Sequence, residues 1–183
     1  MACSSPGFFC GAWPMIDLVL GGNKSGKSDF GLDLLCRGPR PWTLVATGKS
    51  RDLAFRDQIL AHRRSRDADI VVREENTDLA GALRLLAPAR GSVLVDSLDF
   101  WMFSLVGASQ EHRARMREEF FAGLADWREG NLILVSTEMG LGPLAFDGEV
   151  RAFARDLGQL NREIASVSTS VYLVVAGLAQ KLK

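Results

Sequence analysis

The chain lacks the features that would place it in several broad classes. Its 183 residues carry 22 basic and 22 acidic side chains, so no net field gathers nucleic acid or an anionic membrane. Cysteine appears three times, at Cys3, Cys10 and Cys36, an odd number with no CxxC spacing. Neither a disulfide framework nor a zinc site is supported, and a reducing cytoplasm is the expected setting. No apolar run approaches the ~20 residues that span a bilayer. The first fourteen residues lack both a basic start and a long apolar stretch, so they do not read as a secretory signal. Residues 1–14 are read as an extension and 15–183 as one domain. Repeats and low-complexity tracts are absent too.

What is present is an alternation. Short apolar segments at Met15–Leu20, Trp42–Thr47, Ile70–Arg73, Ser92–Asp96, Asn131–Ser136 and Val171–Ala176 read as strands. Helical stretches stand between them: Ser28–Cys36, Leu53–Arg64, Leu79–Leu86, Ser109–Arg128 and the run from Val150 to Ile164. Met116, Phe120, Leu124 and Trp127 recur at helical spacing, as do Val150, Phe153, Leu157, Leu160 and Ile164. Strands alternating with helices predict an α/β fold, a mostly parallel central sheet with helices on both faces. Ligands then bind beyond the carboxyl ends of the strands, where the loops after Leu20, Thr47, Asp96 and Ser136 converge.

One of those loops carries a specific signal. Gly21-Gly22-Asn23-Lys24-Ser25-Gly26-Lys27-Ser28 meets G-x-x-x-x-G-K-[ST] in full, after a strand and before a helix. The glycines admit backbone angles and close approach that a Cβ forbids, so successive N–H groups can surround a phosphate. The helix N-terminus adds its dipole. Lys27 is expected on the β- and γ-phosphates and Ser28 on Mg²⁺. Asp96, after Val93-Leu94-Val95, is placed as the carboxylate that holds Mg²⁺ through water, although a lone aspartate at a strand end is often only a turn residue. The expected fold class is a P-loop NTPase, RecA-like.

Of two histidines, His112 reads as an ordinary residue on a polar helix face. His62 lies in Ala61-His62-Arg63-Arg64-Ser65-Arg66. Two readings stay open there: a solvated basic face, or a nucleophile for an α-phosphorus, kept neutral by guanidinium groups that also bind the triphosphate.

These blocks together resemble the bifunctional adenosylcobinamide kinase / adenosylcobinamide-phosphate guanylyltransferase family of cobalamin biosynthesis. The resemblance runs from Met15 to Lys183. It is carried by the Gly21–Ser28 loop, Val45-Ala46-Thr47, Ile59 through Arg66, Glu74, Asp78-Leu79, Val93–Leu98 with Trp101, Glu138, Gly140 and Gly142, Arg151, Phe153, Gly158 and Asn161, and Val174–Leu178 with Lys181 and Lys183.

The resemblance implies two steps. A nucleoside triphosphate, ATP or GTP, phosphorylates adenosylcobinamide with Lys27 at the phosphates. GTP then guanylylates His62, and GMP passes to the new phosphate. It further implies a homotrimer and a nucleotide site using Thr47, Gly48, Lys49, Arg63, Arg66, Glu74 and Asp96. No nucleic-acid partner is expected. The sequence departs from the family pattern at Asp52-Leu53-Ala54-Phe55, Asp67, Ile70, Asp99, Ser104, Thr137 and Pro143-Leu144-Ala145-Phe146. These loop positions leave two alternatives: a P-loop kinase for cobinamide or another small alcohol, or a non-catalytic nucleotide-binding regulator.

Overall fold

A computed structural model describes residues 15–47, 70–142 and 146–183. The N-terminal extension, the predicted helix Leu53–Arg64 and the departures at 143–145 lie outside the described residues.

The described chain runs β1 (Met15–Gly21), α1 (Lys27–Arg37), β2 (Trp42–Ala46), β3 (Ile70–Glu74), α2 (Leu79–Leu86), β4 (Ser92–Asp96), α3 (Leu98–Ser104), α4 (Gln110–Ala125), β5 (Asn131–Thr137), α5 (Gly148–Val167), β6 (Ser170–Val175) and β7 (Leu178–Lys181). The strands form one sheet in the order β3-β2-β4-β5-β1-β6-β7. All neighbours are parallel except the final pair, β6 with β7. The expected α/β architecture is the observed one.

The central strands read as unbroken apolar runs because both faces are covered. In β4, Val93 and Val95 join one core and Leu94 the other. The first core takes Leu18, Leu20, Leu132 and Leu134 from the sheet and packs them on Leu83, Trp101, Phe120, Leu124, Leu157, Leu160 and Ile164. The second takes Val19, Leu44, Ile133, Val135 and Val174 and packs them on Leu32 and Leu35 of α1. Helix α1 presses hard on the sheet: a Cβ at Gly31 would lie 3.0 Å from Val135 Cγ2 and 3.1 Å from Leu94 Cδ1.

Helix ends follow local chemistry. Asp78, Ser109 and Asp147 cap α2, α4 and α5 by accepting from backbone N–H groups of the first turn. At its other end, α5 is closed by Lys183, whose Nζ donates to the carbonyls of Ala165 and Ser166.

The chain end differs from expectation. Leu178–Lys181, beyond the last predicted strand Val171–Ala176, is an antiparallel edge strand. Ala176 and Gly177 both have positive φ, 51° and 78°, which turns β6 back into β7 in a tight hairpin. Alternation with helices signals parallel strands and says little about a two-residue reversal.

Candidate phosphate site

The centre of the sheet positions the glycine loop. Strand β1 lies between β5 and β6, with Gly21 in register with Thr137 on one side and Val174 on the other. Val174 and the loop's own Ser25 crowd it. A Cβ on Gly21 would collide with Ser25 Oγ and lie 2.7 Å from the Val174 carbonyl oxygen. Gly26 has φ 93°, in the left-handed region, and a Cβ there would also meet Gly177 Cα at 3.1 Å. Glycine is therefore required at Gly26 on conformation and on space.

The C-terminal hairpin holds the loop from outside. Gly177 N–H donates to the Ser25 carbonyl at 2.8 Å. Gly26 is the N-cap of α1 and has no side chain with which to cap the helix. The first amides of α1 are thus left for an anion, in contrast to those of α2, α4 and α5. Lys27 Nζ, one residue on, folds back to donate to the Gly22 carbonyl at 3.1 Å.

Asp96 faces this loop from the end of β4. Its carboxylate hydrogen-bonds Ser28, and burial pushes its pKa up to about 6. The Ser28 bond and the Lys27 charge oppose that rise; the Asp99 and Asp29 charges add to it. Asp96 Oδ2 is buried without a hydrogen-bond partner. A carboxylate with an unsatisfied oxygen, against the hydroxyl of the phosphate loop, suits a hydrated divalent cation. Among the described residues no three His, Cys, Asp or Glu side chains form a metal cluster. Such a cation would therefore take its remaining oxygens from water and from the nucleotide's phosphates.

The other expected residues fall in two groups. Thr47 closes the end of β2, but its N–H donates to Asp96 O at 3.1 Å and its hydroxyl donates to the Ser97 carbonyl. The side chain is spent on the backbone that carries Asp96. Glu74 ends β3 in register with Ala46. From β3 to β1 there are four strand steps, about 19 Å at the usual spacing. The fold thus brings Ser28, Lys27 and Asp96 together and leaves Glu74 at the far edge of the sheet. Gly48, Lys49, His62, Arg63 and Arg66 lie outside the described residues, in the segment joining β2 to β3.

Sequence reasoning passed over a polar network at the end of β5. Thr137 Oγ1 donates to Asp99 Oδ2 at 3.0 Å. Buried Asn161 on α5 accepts from Ser136 Oγ at 2.7 Å and donates to Thr137 O at 3.1 Å. Glu138 N–H donates to the Gly21 carbonyl at 3.1 Å, so the residue after β5 is fastened to the loop's first glycine. The available signal was a run of polar residues, Ser136-Thr137-Glu138, directly after the apolar Leu132–Val135.

A parallel sheet whose central strand ends in this amide-lined loop, with an uncapped helix and a buried carboxylate beside it, defines a P-loop nucleotide-binding protein. The comparisons with known proteins carry the assignment further. The model of the cobinamide kinase / cobinamide phosphate guanyltransferase family matches residues 17–182. The chain is 33 % identical over 169 residues to the bifunctional adenosylcobalamin biosynthesis protein CobP of Pseudomonas aeruginosa, covering 92 % of this chain and 98 % of that relative. The chain belongs to the cobinamide kinase / cobinamide phosphate guanyltransferase family and is an enzyme of cobalamin biosynthesis, a kinase and nucleotidyltransferase with nucleotide substrates. No helix among the described residues is long and apolar enough to cross a membrane.

Proposed function

We propose that the loop Gly21, Gly22, Asn23, Lys24, Ser25, Gly26, Lys27 and Ser28 holds the triphosphate of the phosphoryl donor, and that adenosylcobinamide is the acceptor. The observation that carries this reading is the buried Asp96 carboxylate set against Ser28, beside a loop whose Gly26 only glycine can fill. Backbone amides and the α1 N-terminus bind the phosphate oxygens. Lys27 leaves the Gly22 carbonyl to follow charge onto the transferred group. Ser28 and Asp96 would hold Mg²⁺, which would draw charge from the phosphate oxygens when bound.

In the kinase step the corrinoid's aminopropanol oxygen bonds to the γ-phosphorus. The bond from that phosphorus to the β-bridging oxygen breaks, the hydroxyl proton is lost, and the nucleoside diphosphate departs. In the second step an imidazole nitrogen of His62 bonds to the α-phosphorus of GTP and pyrophosphate leaves. The phosphate of adenosylcobinamide phosphate then attacks that phosphorus, frees His62 and forms adenosylcobinamide-GDP.

Arg63 and Arg66 belong to the second step, with Thr47, Gly48, Lys49 and Glu74. The strand order supports a division of labour, since Glu74 and the ends of the segment carrying His62 sit on the β2–β3 side, away from β1. We assign the same chain to a cytoplasmic homotrimer. Exposed Val175 and Leu178 around the edge strand β7 offer a place for contact between copies, and light scattering reads the state.

The test is incubation with α-labelled GTP and Mg²⁺, followed by mass spectrometry of protein and corrinoid. Acid-labile, base-stable label on the protein, lost in His62→Ala, is expected. A wild-type protein that never takes label removes the transferase half. Kinase turnover without adenosylcobinamide-GDP would leave a kinase alone.

A further inference from the structure

We propose that Asp99 is a second carboxylate of the cation site, acting with Asp96 on the water shell of the divalent ion that accompanies the nucleotide. The inference rests on the phosphate-site reading above and concerns a side chain that reading does not use.

The placement is specific. Strand β4 ends at Asp96, and α3 starts two residues later, so Asp99 is carried just past the strand end. Its Oδ2 accepts from Thr137 Oγ1 at 3.0 Å. Thr137 is the register partner of Gly21, the first glycine of the loop. Asp99 thus leans from β4 across the end of β5, toward the strand that carries the phosphate loop.

Its other oxygen is the telling one. Asp99 Oδ1 is buried with no hydrogen-bond partner, and so is Asp96 Oδ2. Two unsatisfied carboxylate oxygens at one strand end are unusual, since buried polar atoms are paired in nearly all folds unless a water or ion completes them. The two groups also sense each other, because the Asp99 charge hinders ionisation of Asp96. A hydrated cation would satisfy both oxygens and turn that repulsion into attraction. The Thr137 hydroxyl fixes Asp99 in the orientation this needs.

A purely structural Asp99 makes a different forecast. Were it only the Thr137 acceptor, out of reach of the cation's water shell, Asp99→Asn, which keeps an acceptor oxygen for Thr137, would leave Mn²⁺ affinity near wild type. The size of the effect separates the two roles.

Mn²⁺ binding, read by electron paramagnetic resonance on the full chain with a non-hydrolysable GTP or ATP analogue, provides the test. Wild type should hold Mn²⁺ only with nucleotide present; absence of that signal defeats the phosphate-site reading itself. Asp99→Asn keeps an oxygen for Thr137 and removes the charge. It should weaken Mn²⁺ about tenfold, the scale of outer-shell substitutions, while metal-free analogue binding and Tm stay near wild type. Asp99→Thr, which shortens the group, should show the same loss and carries the test if the asparagine variant folds poorly. Mn²⁺ affinity that is unchanged or higher in a folded variant, beside a binding wild type, overturns the role of Asp99 alone.

Discussion

Two aspartates on the α1 side of the sheet share one anomaly and differ in consequence. Asp17, near the start of β1, and Asp96, at the end of β4, both keep one buried carboxylate oxygen without a partner, and both have a raised pKa caused first by burial. Asp17 lies in register with Ile133 and Ser170. Its relief comes from the Lys181 charge and a hydrogen bond with Ser170. Asp96 has Ser28, the Lys27 ammonium and the uncapped start of α1 for company. A strained carboxylate by itself therefore does not mark a site. What marks one is convergence of polar and charged groups on helix amides that no side chain caps, and in a parallel sheet this happens at the carboxyl ends of the strands.

The largest effect should come from removing a donor at the Asp96 end. Lys27→Ala is expected to lower kcat for corrinoid phosphorylation by about 10²–10³-fold, the scale of losing one preorganised charge-stabilising donor. The fold should persist, since among the described residues the hydrogen bond that Lys27 donates goes to the exposed Gly22 carbonyl. Steady-state kinetics beside a thermal melt checks both halves. Equal collapse of both would mean the lysine is structural.

Asp96→Asn should separate function from stability. The folded pKa is raised from 3.8 to about 6. Below pH 3.8 the carboxyl is protonated, folded or unfolded, and costs nothing. As pH climbs through 6 the folded state must ionise a buried group, and stability is lost. The full shift corresponds to on the order of 3 kcal/mol. The variant should therefore melt higher than wild type at pH 8, with the gap closing toward pH 4, while phosphorylation activity falls. A variant that melts lower at pH 8 would show that the Ser28 bond outweighs the desolvation cost. The residue would then be a brace for the loop as much as a group held ready for a cation.

Gly26→Ala sharpens the comparison from the loop side. It places a Cβ at φ 93° and 3.1 Å from Gly177 Cα. A cost of about 1–3 kcal/mol is expected, the range for strained backbone, with nucleotide affinity lost in isothermal titration and the Asp17 end untouched.

Much of this arrangement was legible in the sequence because it depends on local order. The loop from Gly21 to Ser28 is contiguous and each residue's task follows from its type. Asp96 was readable from three apolar residues before it, and the parallel sheet from alternation. The Asp99–Thr137 contact was not, since it joins residues 38 apart and depends on which strand neighbours which. The strand order β4-β5-β1, with no two of these consecutive in both sequence and space except β4 and β5, is set by packing of two cores. Asp17 was passed over for a similar reason. A single acidic residue inside Met15–Leu20 looks like noise in an apolar run until β6 and β7 bring Ser170 and Lys181 to it. The hairpin at Ala176-Gly177 that creates β7 also supplies the N–H that holds Ser25, so one turn serves both ends of the comparison.

The smallest expected effect, and the sharpest control, is Asp17→Asn. Its pKa is raised by burial, so ionised Asp17 weakens the fold above its folded pKa, and the penalty vanishes below 3.8, where the group is protonated in both states. The amide keeps a partner for Ser170 and sheds the charge. It should raise stability at pH 8 by roughly 1 kcal/mol, the low end of what an unsatisfied buried polar group costs, because the lost attraction to Lys181 offsets part of the gain. Thermal melts from pH 4 to 8 should show the gap opening with pH, as for Asp96→Asn but smaller. Kinase turnover and Mn²⁺ affinity should match wild type, since Asp17 lies at the opposite end of β1 from the phosphate loop. Should Asp17→Asn instead impair nucleotide binding, the hairpin linking Lys181 to the Ser25 carbonyl would be transmitting strain to the loop, and the two aspartates would belong to one coupled system.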